Sequence, residues 1–415
     1  MPYVLGVDVG NSRTTAALYR AGAEDAAVLP LDEDRPWVHS VLYLTADDSV
    51  LVGRDALARA EAEPERVARG LCARVGDPVA PLVGGLPCPA EMLLAALIRW
   101  VVDRAVDRER EAPERVVVTH PASWGPHRWA ALDAALRQVD LPDVLRLPKP
   151  LAAAESYAAA NPVAPGDAVT VCDLGEGAVC AAVTRLGPAG FDLLSRVETG
   201  EPGGGSVFDD LLVGQVLTEL GRTPADLDPF DDELRPAMAQ LRSACRAAKE
   251  TLSTAPEAVV PTPLLGPPSS VLISRTRFEE LIGPAVARTV DLLQQAIRTA
   301  GAPNLVAVTL VGGSARVPLV AELVTAATPA RVAVDPDPET AVARGAALAG
   351  HRVSTPEVQL PEDVRLPEQR DRAGDADPDA PTQPPRPPVD LVPIEPPRRG
   401  ARRWKAAGRA RRRAD

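Results

Sequence analysis

Four short segments of this 415-residue chain carry residue types suited to holding a phosphorylated ligand. The first is Asp8, Gly10, Asn11 and Ser12 at the end of an apolar run. Glycine lets the backbone approach an anion closely, small side chains leave room, and successive N–H groups can point at it. An Asp beside such a loop suits a magnesium ion held through water. Asp173, Gly175 and Gly177, with Leu174 and Glu176 between them, offer the same chemistry a second time. Gly204 and Gly205 close a glycine-rich stretch ahead of an expected helix, whose N-terminus suits phosphate. Gly312, Gly313, Ser314, Ala315 and Arg316 follow an apolar strand and suit a nucleoside, with Arg316 against the base. No Walker-type G-K-[ST] and no complete G-x-G-x-x-G occurs, which disfavours P-loop and Rossmann readings. Each segment alone is an ordinary turn; their order and spacing make the combination informative.

The elements that must position these residues repeat. Tyr3 to Tyr19 and Ala168 to Val183 each read as an apolar β-rich run, Asp-x-Gly, a small-residue turn and a second β-rich run. A repeat of one hairpin design in both halves predicts two homologous lobes facing each other, 1–165 and 166–351. Val116 to Thr119 and Leu305 to Val311 read as buried strands, and Pro126 to Val139 has helical spacing. Pro336 to Thr340 is expected to open a last helix, with Pro338, Asp337 and Glu339 in its first turn. The alternation predicts an α/β architecture.

Composition narrows the class. Net charge is -12 and only 3% of residues are aromatic, so Leu, Val and Ala must build the core. Up to residue 351, 31 basic residues face 46 acidic ones, which argues against nucleic-acid binding by the folded part. The five cysteines are scattered without a C-x-x-C pair, which disfavours a zinc site and fits a reduced, cytoplasmic setting. The N-terminus reads as a strand rather than a signal peptide. No apolar run has the length of about 20 residues that a membrane span requires.

With these residues in view, the chain resembles the nucleotide-binding domain of the DnaK-type, 70-kDa heat-shock chaperone family over roughly residues 3–350. Val7-Asp8-Val9-Gly10 matches the family's first phosphate motif, and Val117 to Trp124 resembles its TVPAYF segment. Leu147 to Ala154 resembles the NEPTAAA helix start, Asp173 to Gly177 the DLGGG loop, and Gly203 to Asp209 the LGGEDFD segment. Cys245 to Ser253 resembles CERAKRTLS, and Leu310 to Pro318 nearly reproduces LVGGSTRIP. The resemblance implies a two-lobed actin-like ATPase fold built of duplicated RNase H-like domains, with ATP or ADP and magnesium between the lobes. It assigns Asp8, Asp173 and Arg69 to catalysis, Arg69 standing where the family has Lys. It assigns Gly10, Asn11, Ser12, Gly175, Gly177, Gly204, Gly205, Lys249, Ser253, Gly312, Gly313, Ser314, Arg316 and Glu339 to the nucleotide.

The departures fall on the chemistry. Lys149 replaces the acid of NEP, Glu176 replaces a phosphate-loop Gly, Ala178 a Thr and Cys180 a metal-shell Asp. Arg246 stands where Glu is usual, and Glu250 where Arg is common. Lost metal ligands and like charge beside phosphate predict weak or absent hydrolysis. If magnesium binds, Asp8 and Asp173 hold it; alternatively the Lys149 ammonium neutralises the two acids in its place. Two functions remain open: an ATP- or ADP-binding chaperone-like ATPase domain, or a pseudoenzyme acting on unidentified protein partners as a scaffold. Residues 352–415 are Pro-rich and expected to be disordered, without the family's peptide-binding half. Their end, from Arg398, holds nine basic residues against one acid and could meet an anionic membrane or nucleic acid, although a solvated tail is the simpler reading.

Overall fold

A computed structural model describes residues 2–33, 35–47, 49–60, 62–200, 203–222, 234–262, 269–354 and 405–406. Two main sheets share one plan. In the first, the strand Tyr3–Val9 is central, antiparallel to Arg13–Arg20 and parallel to Arg115–His120. Val144–Pro148 extends it on the parallel side, and Ala27–Val28 pairs with Arg13–Arg20 on the other. In the second, Ala168–Leu174 is central, antiparallel to Val179–Gly187 and parallel to Leu305–Val311. Arg331–Val334 and Gly190–Glu198 extend it on the corresponding sides. This is the duplicated, two-lobed α/β fold that the repeated hairpin predicts.

Burial matches as well. In each central strand of seven residues only the sixth is not fully buried, and that residue is Asp8 in one and Asp173 in the other. A strand covered on both faces must be apolar throughout, so a carboxylate is tolerated only where the strand runs out into the cleft. On its outer face the first sheet packs against the helices Ala90–Glu109 and Pro126–Gln138 through Leu93, Leu97, Ile98, Trp129 and Leu132. The second packs against Gly204–Glu219, Arg275–Ala300 and Pro318–Ala327 through Phe208, Leu212, Phe278, Leu293 and Val320.

A third core joins the sheets. The helices Lys149–Ala160 and Ala341–Ser354 lie between them, and Ala152, Ala153, Ala154, Ala341 and Ala346 pack with Val4 and Val117 of one sheet and Val169 and Val171 of the other. The fit leaves no room for larger groups. A Cβ on Gly345 would sit 1.7 Å from the Ala152 carbonyl oxygen, and one on Gly6 would sit 2.3 Å from that of Ala343. Arg352 closes the same junction with an ion pair of 2.7 Å to the buried Glu155.

One sequence expectation shifts. The last helix begins at Ala341, so Asp337 and Glu339 precede it rather than filling its first turn. Glu339 is instead held by Arg316. Most of the Pro-rich tail lies outside the described residues; Lys405–Ala406 pairs in parallel with Ser49 and Val50. Among the described residues no helix is long and apolar enough to cross a membrane.

Gly345→Ala tests the helix junction. Alanine in place of glycine gains about 1 kcal/mol in helix propensity. The overlap with Ala152 is backbone against backbone and should cost about 3 kcal/mol or more. The expected result in urea denaturation is a net loss of stability; a gain would mean that the helices are not in this contact.

Candidate functional site

The ends of both central hairpins open on one cleft of about 760 Å³. It is lined by Asp8, Gly10, Asn11 and Ser12 from the first lobe and by Asp173, Gly175 and Gly177 from the second. Gly205, Lys249, Ser253, Gly312, Gly313, Ser314, Arg316 and Glu339 complete the same wall, together with Lys149. Two expected residues lie elsewhere. Gly204 is buried behind the lining, with φ +57° and room for no Cβ against the Gly175 carbonyl. Arg69 lines an adjoining chamber of about 530 Å³ that shares Asn11, Ser12, Glu176, Gly177 and Arg246 with the cleft.

At the floor, Lys149 and the two acids meet. Lys149 is the first residue of its helix and follows directly on the strand Val144–Pro148, which fixes its Cα beside the central strand. Its Nζ lies 3.0 Å from Asp8 Oδ1, with about one-seventh of each side chain exposed (15% and 13%). The Thr119 hydroxyl donates to the same carboxylate oxygen. Burial alone would discharge the ammonium, but Asp8 and Asp173 push its pKa up, so it stays charged. Burial pushes Asp173 up to about 6; Lys149 opposes that shift, while Asp8 and Glu198 add to it. Gly312, at φ +84°, has its missing Cβ 2.8 Å from Asp173 Oδ1, so the loop from Gly312 to Arg316 closes directly over this carboxylate.

The substituted charges find one another. Glu176 pairs with Arg246, which also reaches Asp209 at 3.4 Å. Lys249 lies 2.7 Å from Asp209 and donates to the Gly205 carbonyl at 3.1 Å. Glu250 pairs across the cleft with Arg13, whose guanidinium lies 4.0 Å from the centre of the Trp37 ring. Arg316 donates to both oxygens of Glu339, at 2.8 and 2.6 Å. Some expected anion donors are used internally. Gly10 N–H closes its own turn on Arg13 O at 2.9 Å. Gly205 and Ser206 N–H bond to the Gly175 and Glu176 carbonyls at 2.9 and 2.8 Å, so the helix start is tied to the second hairpin turn. In the adjoining chamber, His39 is pushed down to about 4 by burial and by Arg13, so it is neutral near pH 7.

Comparison with known proteins accords with this geometry. The family model described as Hsp70 protein matches residues 84–366, more than half of the chain. Curated relatives include the Chaperone protein HscA homolog of Burkholderia multivorans, 30% identical over 379 residues, covering 84% of this chain and 59% of that protein. The Chaperone protein HscA homolog of Burkholderia pseudomallei is 30% identical over 377 residues with the same coverage. The chain belongs to the Hsp70 family. It spans 59% of the length of these relatives.

In an Hsp70-type cleft a magnesium ion is the implied partner of the two acids, and the residues present do not fit it. A magnesium ion takes oxygen ligands in a near-octahedral shell. Here the Asp8 oxygen already receives an ammonium and a hydroxyl proton. The strand residue opposite Asp173 is the thiol Cys180. Among the described residues no group of three or more His, Cys, Asp or Glu is arranged to hold a metal.

Sequence reading did not single out Thr119, Arg13, Glu198 or the Asp209 anchor as parts of the site. Asp209 sits in the quoted Gly203 to Asp209 segment, 40 residues before Lys249, which was its only signal. With side chains only 9% and 11% exposed, the Asp209–Lys249 pair is costly to break from one side. Asp209→Ala should lower unfolding free energy by about 3 kcal/mol or more, because Lys249 is left buried and unpaired. Lys249→Met combined with Asp209→Leu should recover most of that loss in the same denaturation assay.

Proposed function

We propose that this chain is a nucleotide-binding module of the chaperone type, taking ADP or ATP in the cleft with hydrolysis weak or absent. The observation that carries this reading is convergence. Two phosphate-type hairpin turns and the residues expected around a nucleoside, far apart in sequence, line one cavity of about 760 Å³. A volume of that size suits a nucleotide-sized ligand.

The role of each group follows from its chemistry. Arg316, held flat by both oxygens of Glu339, offers a planar cation to an aromatic base. Lys249, in the last turn of the helix Leu234–Leu252, and Ser253, just past its end, offer donors to a ribose. Gly175, Gly177 and Gly205 line the cleft without side chains, which leaves space for phosphate in front of them. Arg69 and Arg246 face the adjoining chamber, where the last phosphate of a triphosphate would reach.

Weak hydrolysis has a physical basis in the same residues. Phosphoryl transfer depends on charge placed against the leaving and transferred groups. When bound, a magnesium ion supplies much of that charge in such sites, and the floor of this cleft does not suit one. Asp8 is engaged by Lys149 and Thr119, which leaves it poorly placed to orient an attacking water. Those same contacts favour a second reading, a pseudo-ATPase whose fold serves as an interaction scaffold for protein partners.

Calorimetric titration of residues 1–354 with ADP and ATP separates the two. Micromolar binding of either nucleotide, lost in Gly312→Val and weakened in Arg316→Ala, is the expected result. Turnover should be undetectable or slow and unchanged in Asp8→Ala. The absence of heat with both nucleotides would reject nucleotide binding and leave the scaffold reading; steady turnover abolished by Asp8→Ala would reject weak catalysis.

A further inference from the structure

We infer that Lys149 is a resident cation of this cleft: its ammonium occupies the place at Asp8 that a divalent ion held by the two acids requires, so the cleft takes nucleotide without metal. The nucleotide part rests on the function proposed above; the exclusion of a divalent ion from the two acids does not.

Three observations carry the inference. The first is occupancy. Lys149 Nζ lies 3.0 Å from Asp8 Oδ1, where an ion bound to that oxygen, or the water carrying one, would have to sit. The ammonium and the ion cannot share the position, and their like charges repel. The second is restraint. Lys149 opens its helix with Pro150 behind it, while Pro148 ahead of it is paired in register with His120. Backbone on both sides is fixed, and the side chain is mostly buried. It cannot leave without exposing two carboxylates to each other. The third is direction. The positive end of a helix dipole disfavours a cation at this position. The ammonium sits at its own helix start nonetheless, held by its ion pair with Asp8.

A consequence follows for the ligand. A divalent ion would give the acid pair a net charge of zero, whereas Lys149 leaves the three groups with one negative charge. The floor therefore gives no extra reward for the third phosphate of ATP. The compatible ligand is a free nucleoside diphosphate rather than its metal complex.

The experiment compares wild type with Lys149→Gln and Lys149→Glu, the latter restoring an acid. ADP affinity is measured in excess EDTA and in excess Mg²⁺, and thermal midpoints of the nucleotide-free proteins are measured with and without Mg²⁺. For wild type the two ADP affinities should agree within about twofold, and Mg²⁺ should not move the midpoint. In the variants Mg²⁺ should tighten ADP binding by about tenfold and raise the midpoint, because vacated carboxylates accept the ion. Wild-type binding that tightens tenfold with Mg²⁺, a wild-type midpoint raised by Mg²⁺, or variants indifferent to it would each overturn the inference. Should ADP bind no form of the protein, the nucleotide reading fails, and the thermal arm still decides the resident cation. Should Lys149→Glu not fold, Lys149→Gln and the wild-type arms suffice.

Discussion

The close crossing of two helices sets the rest of this structure. Lys149–Ala160 and Ala341–Ser354 approach until Gly345 faces the Ala152 backbone with no room for a side chain. That contact fixes how near the two central strands come, because Ala341–Ser354 packs on the first sheet, with Gly6 against Ala343 and Gly350 against Val4 and Val117, while Ala152, Ala153 and Ala154 share a core with Val169 and Val171 of the second. Both cleft acids sit at the exits of those strands. The same helix that makes the crossing begins with Lys149, so packing and electrostatics share one element. Alanine in these helices is a packing requirement, since any larger residue would drive the lobes apart and move Asp173 away from Asp8 and Lys149.

The second theme is that charge reversals occur with partners. An acid within the second phosphate turn would repel a nucleotide; Glu176 is matched by Arg246. An acid at the nucleoside side is matched by Arg13 from the opposite lobe. A base in the acid pair replaces the need for an external cation. Lys149, mostly buried, would be a poorly solvated charge without its partner. Together the reversals describe a site whose ion pairs are completed from within the chain. A cleft of this kind keeps the shape of a nucleotide site while giving up part of the electrostatic pull on phosphate.

Much of this was legible in the sequence, for identifiable reasons. The two Asp-x-Gly hairpins announce themselves through alternation of β-rich runs and small turns, which are local properties. The lining residues Lys249, Ser253, Gly312 and Arg316 are carried by motifs that resemble a known family, and they converge as that family's fold requires. What sequence could not give is pairing across the fold. Arg13 and Glu250 are 237 residues apart, and nothing local in either predicts the other. The start of the last helix was misjudged because Pro338, Asp337 and Glu339 are good first-turn residues; Arg316 recruits Glu339 instead, and Thr340 N–H bonds back to Asp337 in a turn. Gly205 reads as an open phosphate donor until the fold shows its N–H spent on Gly175.

A buried ammonium paired with Asp8 stands in this cleft for an external cation. The chain has only three lysines, Lys149, Lys249 and Lys405, so ¹⁵Nζ-labelled lysine gives a spectrum simple enough to assign with Lys149→Gln. The account predicts that the Lys149 ammonium protons are visible at neutral pH, exchange slowly with water and are unchanged by millimolar Mg²⁺. A Lys149 signal that exchanges as fast as a surface lysine, or that Mg²⁺ releases to solvent, would contradict it.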